Sequence, residues 1–148
     1  MDPGRDPRYL EAYALNTAGI AADATLIEFA GVNRRTAVAY ERLLTSLFVV
    51  DALPAWSSTR LKRLSKARKR HLVDPALIAS ILQLDAGAVL RDGDLLGRVL
   101  ESFVVAQVRA ELAVCASRPR RYHLREDTDA TTWTSLRSWE PGGWWPSR

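Results

Sequence analysis

Apolar residues recur at helical spacing through the first third of the chain. The pattern predicts a helix over Tyr9–Thr17 whose apolar side chains share one face. A shorter helix is predicted over Thr25–Ala30, with Asp23 as its N-cap. A tight turn at Gly31–Asn33 follows, and the asparagine is a suitable cap for a third helix over Arg34–Leu47. Two helices joined by a short turn that contains glycine predict a helix-turn-helix.

The third predicted helix has two different faces. One face is apolar and is expected to be buried, and it consists of Ala37, Tyr40, Leu44 and Leu47. Arg35, Arg42 and Ser46 fall outside this stripe. The helix is therefore amphipathic, with cations among the residues that fall outside the buried stripe.

Two β-prone segments follow, Phe48–Leu53 and Lys69–Val73, separated by a long polar connection. Paired with each other, they would form the β-hairpin wing of a winged helix. Asp74 is a suitable N-cap for the next element, and Pro75 suits the first position of a helix. The remaining predicted elements are a helix over Ala76–Leu84, a long helix over Leu95–Cys115 capped by Asp94, and a strand over Arg120–Arg125.

The end of the chain breaks these patterns. Four of the five tryptophans lie in Thr131–Arg148, and neither strand nor helix periodicity links them. We therefore expect an irregular tail rather than a further packed element.

Composition narrows the class of protein. A chain of 148 residues is one domain, or one small domain with part of another. Cys115 is the only cysteine, which excludes an intrachain disulfide, and its apolar neighbours predict a buried thiol. The chain has no signal-peptide pattern and no apolar run of about 20 residues, so a cytoplasmic protein without membrane contact is expected.

The basic residues suggest duplex DNA as a partner, because wings and recognition helices place cations against phosphates. The net charge is only +4, so its distribution matters more than its sum. The alternative is a solvated loop or an interface to an acidic neighbouring domain. The candidate contacts are Arg34, Arg35, Thr36 and Tyr40 at the head of the third helix, and Arg60, Lys62, Arg63, Lys66, Arg68, Lys69 and Arg70 in or beside the wing.

Glu101 is the one candidate for site chemistry. Its helical neighbours are small or apolar, so its carboxylate could face inward and require a partner. An ion pair with Arg98 is the simpler interpretation, and we favour it. There is no P-loop, no zinc-ligand spacing and no nominable Ser/His/Asp set, and His71 and His123 are predicted to be strand residues rather than ligands. No catalytic residue, metal or other cofactor is predicted.

Several blocks in order resemble one known domain. It is the C-terminal domain of unknown function in a large prokaryotic family of AAA-type ATPases, and the resemblance covers Arg8–Glu126. The blocks are Tyr13–Gly19, Gly31–Ala37, Leu53–Trp56, Lys69–Pro75, Leu95–Val104 and Tyr122–Arg125.

The resemblance implies a winged-helix region followed by a restriction-endonuclease-like fold, behind an ATPase domain that this sequence lacks. Glu101 occupies the position of the glutamate in the first nuclease helix. The Val-Asp and Glu-x-Lys blocks that complete the metal site are absent here. One carboxylate alone cannot hold the metal that activates water. The resemblance therefore implies a vestigial position at Glu101 and a truncated protein that is not an enzyme.

The tail fits a frameshift hypothesis. Because tryptophan has a single codon, part of the neighbouring frame is fixed. In that frame the tail can encode two strands that resemble the missing block. The forced readings are Asp at Trp133-Thr134, Gly at Trp139-Glu140, Val at Trp144-Trp145 and Ala at Trp145-Pro146.

These observations predict a mainly α protein with a small β component. It would be a winged helix-turn-helix followed by a long helix and the first strand of an incomplete endonuclease-like fold. The expected division is a disordered segment over 1–8, a winged-helix-like domain over 9–90, a partial endonuclease-like segment over 91–126 and an irregular tail over 127–148.

The expected function is weak, mainly electrostatic DNA binding. The alternative is a module that docks to an ATPase domain in another chain or self-associates. In that alternative, the unpaired strand Arg120–Arg125 and the ring-rich tail would supply the exposed surface.

Overall fold

The computed structural model describes residues 6–56, 67–116, 119–125 and 132–136. The described part is mainly helical with two small antiparallel sheets, which confirms the predicted class of a mainly α protein with a small β component. None of the described helices combines the length and apolarity that crossing a bilayer would need. The helices are α1 (Asp6–Leu15), α2 (Asp23–Ala30), α3 (Arg34–Ser46), α4 (Pro75–Ile81), α5 (Ala86–Arg91) and α6 (Gly93–Ala113), and the strands are β1 (Val50–Leu53), β2 (Lys69–Leu72), β3 (Arg121–Arg125) and β4 (Thr132–Leu136).

The turn between α2 and α3 forms as the sequence predicts. Gly31 ends α2 in the left-handed region, with φ of 64°, where glycine carries no steric penalty. Asn33 caps α3, and its side-chain oxygen accepts a hydrogen bond from the Thr36 amide at 2.9 Å. The prediction that Asp23 caps α2 is wrong, because α2 begins at Asp23 itself and no side chain caps it.

β2 is the central strand of the N-terminal part. It pairs antiparallel with β1, from Val50 opposite Leu72 to Leu53 opposite Lys69, which confirms the predicted pairing of the two segments. On its other edge, the Arg70 amide donates to the Gly19 carbonyl at 3.1 Å in an antiparallel bridge. Both edges of β2 are therefore occupied.

The core lies between β2 and the first three helices. Three tyrosines pack together in it with tilted rings, and the ring centroids are 5.3 Å apart for Tyr9 and Tyr13 and 5.6 Å apart for Tyr9 and Tyr40. Leu95 and Val99 of α6 pack against the same core. The predicted boundary near residue 91 thus falls within a packed region. α1 begins at Asp6, inside the segment predicted to be disordered.

The helices after β2 agree with the sequence prediction only in part. Asp74 caps α4 as predicted, accepting from the Ala76 amide at 2.9 Å. The short helix α5 was not predicted. Asp92, not Asp94, caps α6 by accepting from the Leu95 amide at 3.0 Å. α6 ends at Ala113, and Cys115 is exposed, so the prediction of a buried thiol is wrong.

β3 is paired on both edges, so the expectation of an unpaired strand is wrong. It runs antiparallel to β4, which lies inside the tail predicted to be irregular. On its other edge, the His123 amide donates to the Pro54 carbonyl at 3.0 Å, and the Trp56 amide donates to the His123 carbonyl at 2.7 Å. An ion pair between Arg121 and Asp51, at 2.6 Å, ties β3 to β1. The other tail residues, and the frameshift hypothesis, lie outside the described residues.

Candidate nucleic-acid interface

The outward face of α3 is basic. Arg34, Arg35 and Arg42 are exposed, whereas Ala37 and Tyr40 on the opposite face are buried. The outward residues line one shallow depression of about 550 Å³, with Val38 and Ala39 between the arginines. Arg34 and Arg42 are eight residues apart, so their Cα atoms are separated by about 12 Å along the helix axis. α3 therefore presents three cations around an apolar centre.

The first turn of α3 suits an anion. It contains no acidic residue, and the unsatisfied amide groups at a helix N-terminus attract negative charge. Asn33 satisfies one of these amides and fixes where the helix starts. Arg34 and Arg35 lie at this end of the helix, where both their charge and the helix dipole favour a phosphate.

Two of the four residues predicted at the head of α3 are not exposed contacts. Tyr40 is 6% exposed and packs on Tyr9, so the prediction that it reaches DNA is wrong. Thr36 is half-buried, and its amide already donates to Asn33. Arg34 and Arg35 remain available to an incoming partner.

Lys69 is buried rather than displayed on the wing. Its side chain is 2% exposed, and its ammonium group forms an ion pair with the Glu101 carboxylate. A phosphate could reach it only by displacing Glu101 from the protein. We therefore remove Lys69 from the predicted DNA contacts.

Arg70 is buried on the opposite face of β2. It pairs with Asp23, donates to the Ala21 carbonyl at 3.1 Å, and lies 3.7 Å from Glu41. Its guanidinium also lies 5.9 Å from the centroid of the Tyr13 ring. The protein itself has therefore neutralised this cation, and Arg70 is likewise removed from the predicted contacts.

Strand geometry explains both corrections. Successive side chains of a strand point to opposite faces, so Lys69 and His71 meet α6 while Arg70 and Leu72 meet the core of the first three helices. All four residues of β2 are buried because both faces are covered. Arg68, just before the strand, is exposed. The other predicted wing cations, Arg60, Lys62, Arg63 and Lys66, lie outside the described residues.

Glu101 binds a partner other than the one favoured from sequence. The expected pair with Arg98 does not form, since Arg98 binds Asp94 at 2.8 Å one turn earlier. The carboxylate of Glu101 instead neutralises Lys69, and it is 27% exposed. Its inward orientation follows the sequence pattern, and its role is to satisfy a buried cation of a distant strand.

A chain of hydrogen bonds runs beside this ion pair. The Leu72 amide donates to the Thr17 hydroxyl at 3.2 Å, the Thr17 and Ser102 hydroxyl oxygens are 2.9 Å apart, and Ser102 Oγ is 3.2 Å from His71 Nδ1. This order lets each hydroxyl accept one hydrogen bond and donate the next. Burial lowers the pKa of the His71 imidazole from 6.5 to about 4, because the charged ring would lose its hydration; Glu101 opposes this shift and Lys69 adds to it.

The serine–histidine contact has the composition of a nucleophile and its base, but substrate cannot reach it. Ser102 is fully buried and His71 is 1% exposed. The contact therefore joins α6 to β2 as a structural link. His71 and His123 are strand residues, as predicted. Within the described ranges, no cluster of three or more histidine, cysteine, aspartate or glutamate side chains is arranged to hold a metal ion.

Arg42 belongs to the basic face of α3 but is not among the DNA contacts predicted from the sequence. The sequence does indicate its exposure, since Arg42 lies outside the apolar stripe and two turns from Arg34. The Ser102–His71 contact carried no such signal, because nothing local in the sequence indicates that these two residues meet.

One family model matches this chain. It matches residues 1–88, and the chain belongs to this family, a domain of unknown function called DUF8612. The match ends before α6, so the residues that pair with Lys69 and His71 lie beyond it. No curated protein matches the chain. No solved structure matches it either.

Proposed function

We propose that this protein is a non-enzymatic cytoplasmic module that binds duplex DNA weakly through the outward face of α3. The observation that carries the proposal is the exposure of Arg34, Arg35 and Arg42 around one depression. Phosphate contacts from such cations supply affinity without reading sequence. Val38 and Ala39 between them are small enough for the helix to approach a groove closely.

The order of elements supports a winged helix as the scaffold. α1 is followed by the Gly19 segment, α2, α3, β1 and β2, and the bridges place β2 between β1 and Gly19. In a winged helix-turn-helix the second helix of the motif lies in the major groove. α3 has that place in the order, and its outward face is the basic one. Arg68, just before β2, is exposed beside the proposed wing.

The absence of catalysis and the relationship to the C-terminal domain of AAA-type ATPases are also parts of the proposal. They rest on the sequence blocks given above and on the position of Glu101. Its carboxylate pairs with Lys69, so it is committed to neutralising a buried cation rather than open to a metal ion.

The proposal predicts binding that depends steeply on salt. Each phosphate neutralised on duplex DNA adds about 0.9 to the slope of log K against log salt. Three arginine contacts alone would then weaken binding roughly 40-fold between about 50 and about 200 mM salt. We expect micromolar or weaker affinity, measured by fluorescence anisotropy with a short labelled duplex.

Two outcomes would reject the proposal. One is the absence of binding at the low-salt end of the titration. The other is binding of equal strength at both salt concentrations, which would mean that phosphate contacts do not supply the affinity. A duplex of unrelated sequence should bind about equally well, since the contacts are proposed to be mainly electrostatic.

A further inference from the structure

α6 has an exposed stripe without charge. Between residues 97 and 110, six residues are exposed: Gly97, Leu100, Phe103, Val104, Gln107 and Ala110. Leu100, Phe103 and Val104 are 53%, 48% and 56% exposed. The solvent-facing side of a helix ordinarily carries charged side chains, so this stripe resembles an interface more than a free surface.

The charged residues of the same stretch contact this protein instead. Arg98 binds Asp94, Glu101 binds Lys69, and Arg109 stacks on the Phe48 ring at 5.4 Å. Ser102 and Val105 are buried on the inner face. The charged side chains of this stretch therefore interact with other side chains of α6 or of neighbouring elements. The outward stripe contains no charged residue over about four turns.

The spacing of the stripe is symmetric about its centre. Going outward from the midpoint between Phe103 and Val104, the next exposed positions are Leu100 and Gln107, followed by Gly97 and Ala110. Each pair lies equally far from the midpoint. Large side chains are at the centre and small residues at both ends, so in an antiparallel copy each position would meet its symmetric counterpart, with the contact made mainly by the large central side chains.

We propose that α6 pairs antiparallel with α6 of a second copy of this chain, about a two-fold axis between Phe103 and Val104. Charge disfavours a charged partner, whose charges would be buried against a neutral stripe without a counter-ion, and an identical stripe brings no such charges. A two-fold interface requires a self-complementary patch, and the symmetric spacing supplies it. The proposal goes beyond DNA binding and uses a different surface.

The interface is small, so the dimer is weak. A single helix pair of about 20 Å is at the low end of specific interfaces, and we expect dissociation on the order of micromolar. Light scattering or sedimentation of the full chain should show mass rising toward a dimer with concentration. A monomer throughout the micromolar range would overturn the proposal.

A charged variant tests the surface. Phe103→Lys with Val104→Lys places four ammonium groups at the axis of a dimer and should abolish it. The control is Leu47→Lys with Leu90→Lys, which changes two other exposed apolar residues in the same way. Circular dichroism checks that both variants fold. Loss of the dimer in the first variant alone supports the proposal, and a dimer that persists in it overturns the proposal.

Cysteine pairs test whether the two α6 helices run antiparallel or parallel. Gly97 has open space where a Cβ would lie, and Ala110 is exposed, so each can become cysteine in a Cys115→Ser background. Mixing Gly97→Cys with Ala110→Cys should give the mixed disulfide in preference to either homodimer, read by mass spectrometry. Preferred homodimer disulfides would mean parallel pairing and would overturn the antiparallel arrangement.

Discussion

Glu101→Gln is expected to lower the free energy of unfolding by about 3 kcal/mol, because it removes the charge that neutralises a buried cation. Lys69 is 2% exposed and cannot turn its ammonium group to water without disturbing β2. We take the low end of the range for broken buried pairs, since Glu101 itself is 27% exposed. Urea unfolding followed by circular dichroism measures the change.

A double variant separates the lost pair from a damaged helix. Lys69→Met with Glu101→Leu removes both charges and should recover most of the stability, because apolar residues often replace a buried pair without loss. Glu111→Gln, on an exposed position of the same helix, is the matched control and should change stability by less than about 0.5 kcal/mol. Equal effects of Glu101→Gln and Glu111→Gln would contradict the buried pair.

Acid is expected to destabilise the protein through His71. Burial lowers the pKa of this imidazole to about 4 in the folded protein, while the unfolded chain retains 6.5. Between these values the unfolded state binds more protons, so stability falls as pH decreases through this window. The stabilising contribution is complete above pH 6.5. Its loss reaches roughly 2 to 3 kcal/mol near pH 4.5, since each pKa unit corresponds to about 1.4 kcal/mol.

The variant His71→Gln isolates this contribution from the titrating carboxylates. Glutamine can still bond the Ser102 hydroxyl, but it does not gain a proton in this range. The difference in unfolding free energy between the variant and the unmodified protein should therefore shift by roughly 2 to 3 kcal/mol between pH 7.5 and pH 4.5 in favour of the variant. Parallel pH profiles of the two proteins would show that His71 is not buried in a neutral form.

Local features of the fold follow from the sequence because their causes lie within a few residues. Asn33 and Asp74 cap the helices predicted for them, since a cap needs only the next turn. The two strands pair as predicted, although only β1 is apolar over most of its length, since β2 contains Lys69, Arg70 and His71. Asp23 and Asp94 fail as caps because each lies within its helix, after the capping position, and each instead binds an arginine.

The burial of the cations of β2 could not be predicted from the local sequence pattern. A run from Arg68 to His71 is polar by composition and predicts exposure, but β2 receives carboxylates from α2, α3 and α6 on both of its faces. These partners are far away in sequence. The pairing of β3 with Ala55 and β4 is hidden for the same reason, since strand pairing depends on elements that only the folded chain brings together.

Helical periodicity predicts which residues of α3 are exposed, whereas the burial of the β2 cations could not be predicted in this way. Arg34 and Arg35 are exposed as expected. The same helical periodicity that places Tyr40 on the buried face places Arg42 on the exposed face. The place of Tyr40 near the start of the helix favours a DNA contact, but its position on the apolar stripe predicts that it is buried. Where the two criteria conflicted, helical periodicity predicted the burial of this residue and proximity to the start of the helix did not.

The most direct test compares charge-matched variants in the DNA titration. Arg34→Gln with Arg35→Gln and Arg42→Gln removes three cations from α3, while Arg8→Gln with Arg91→Gln and Arg120→Gln removes three exposed cations elsewhere. The account predicts that the slope of log K against log salt falls by up to about 2.7 in the α3 variant and hardly changes in the other. Equal slopes in the two variants would contradict it, because binding would then depend on overall charge and not on the face of α3.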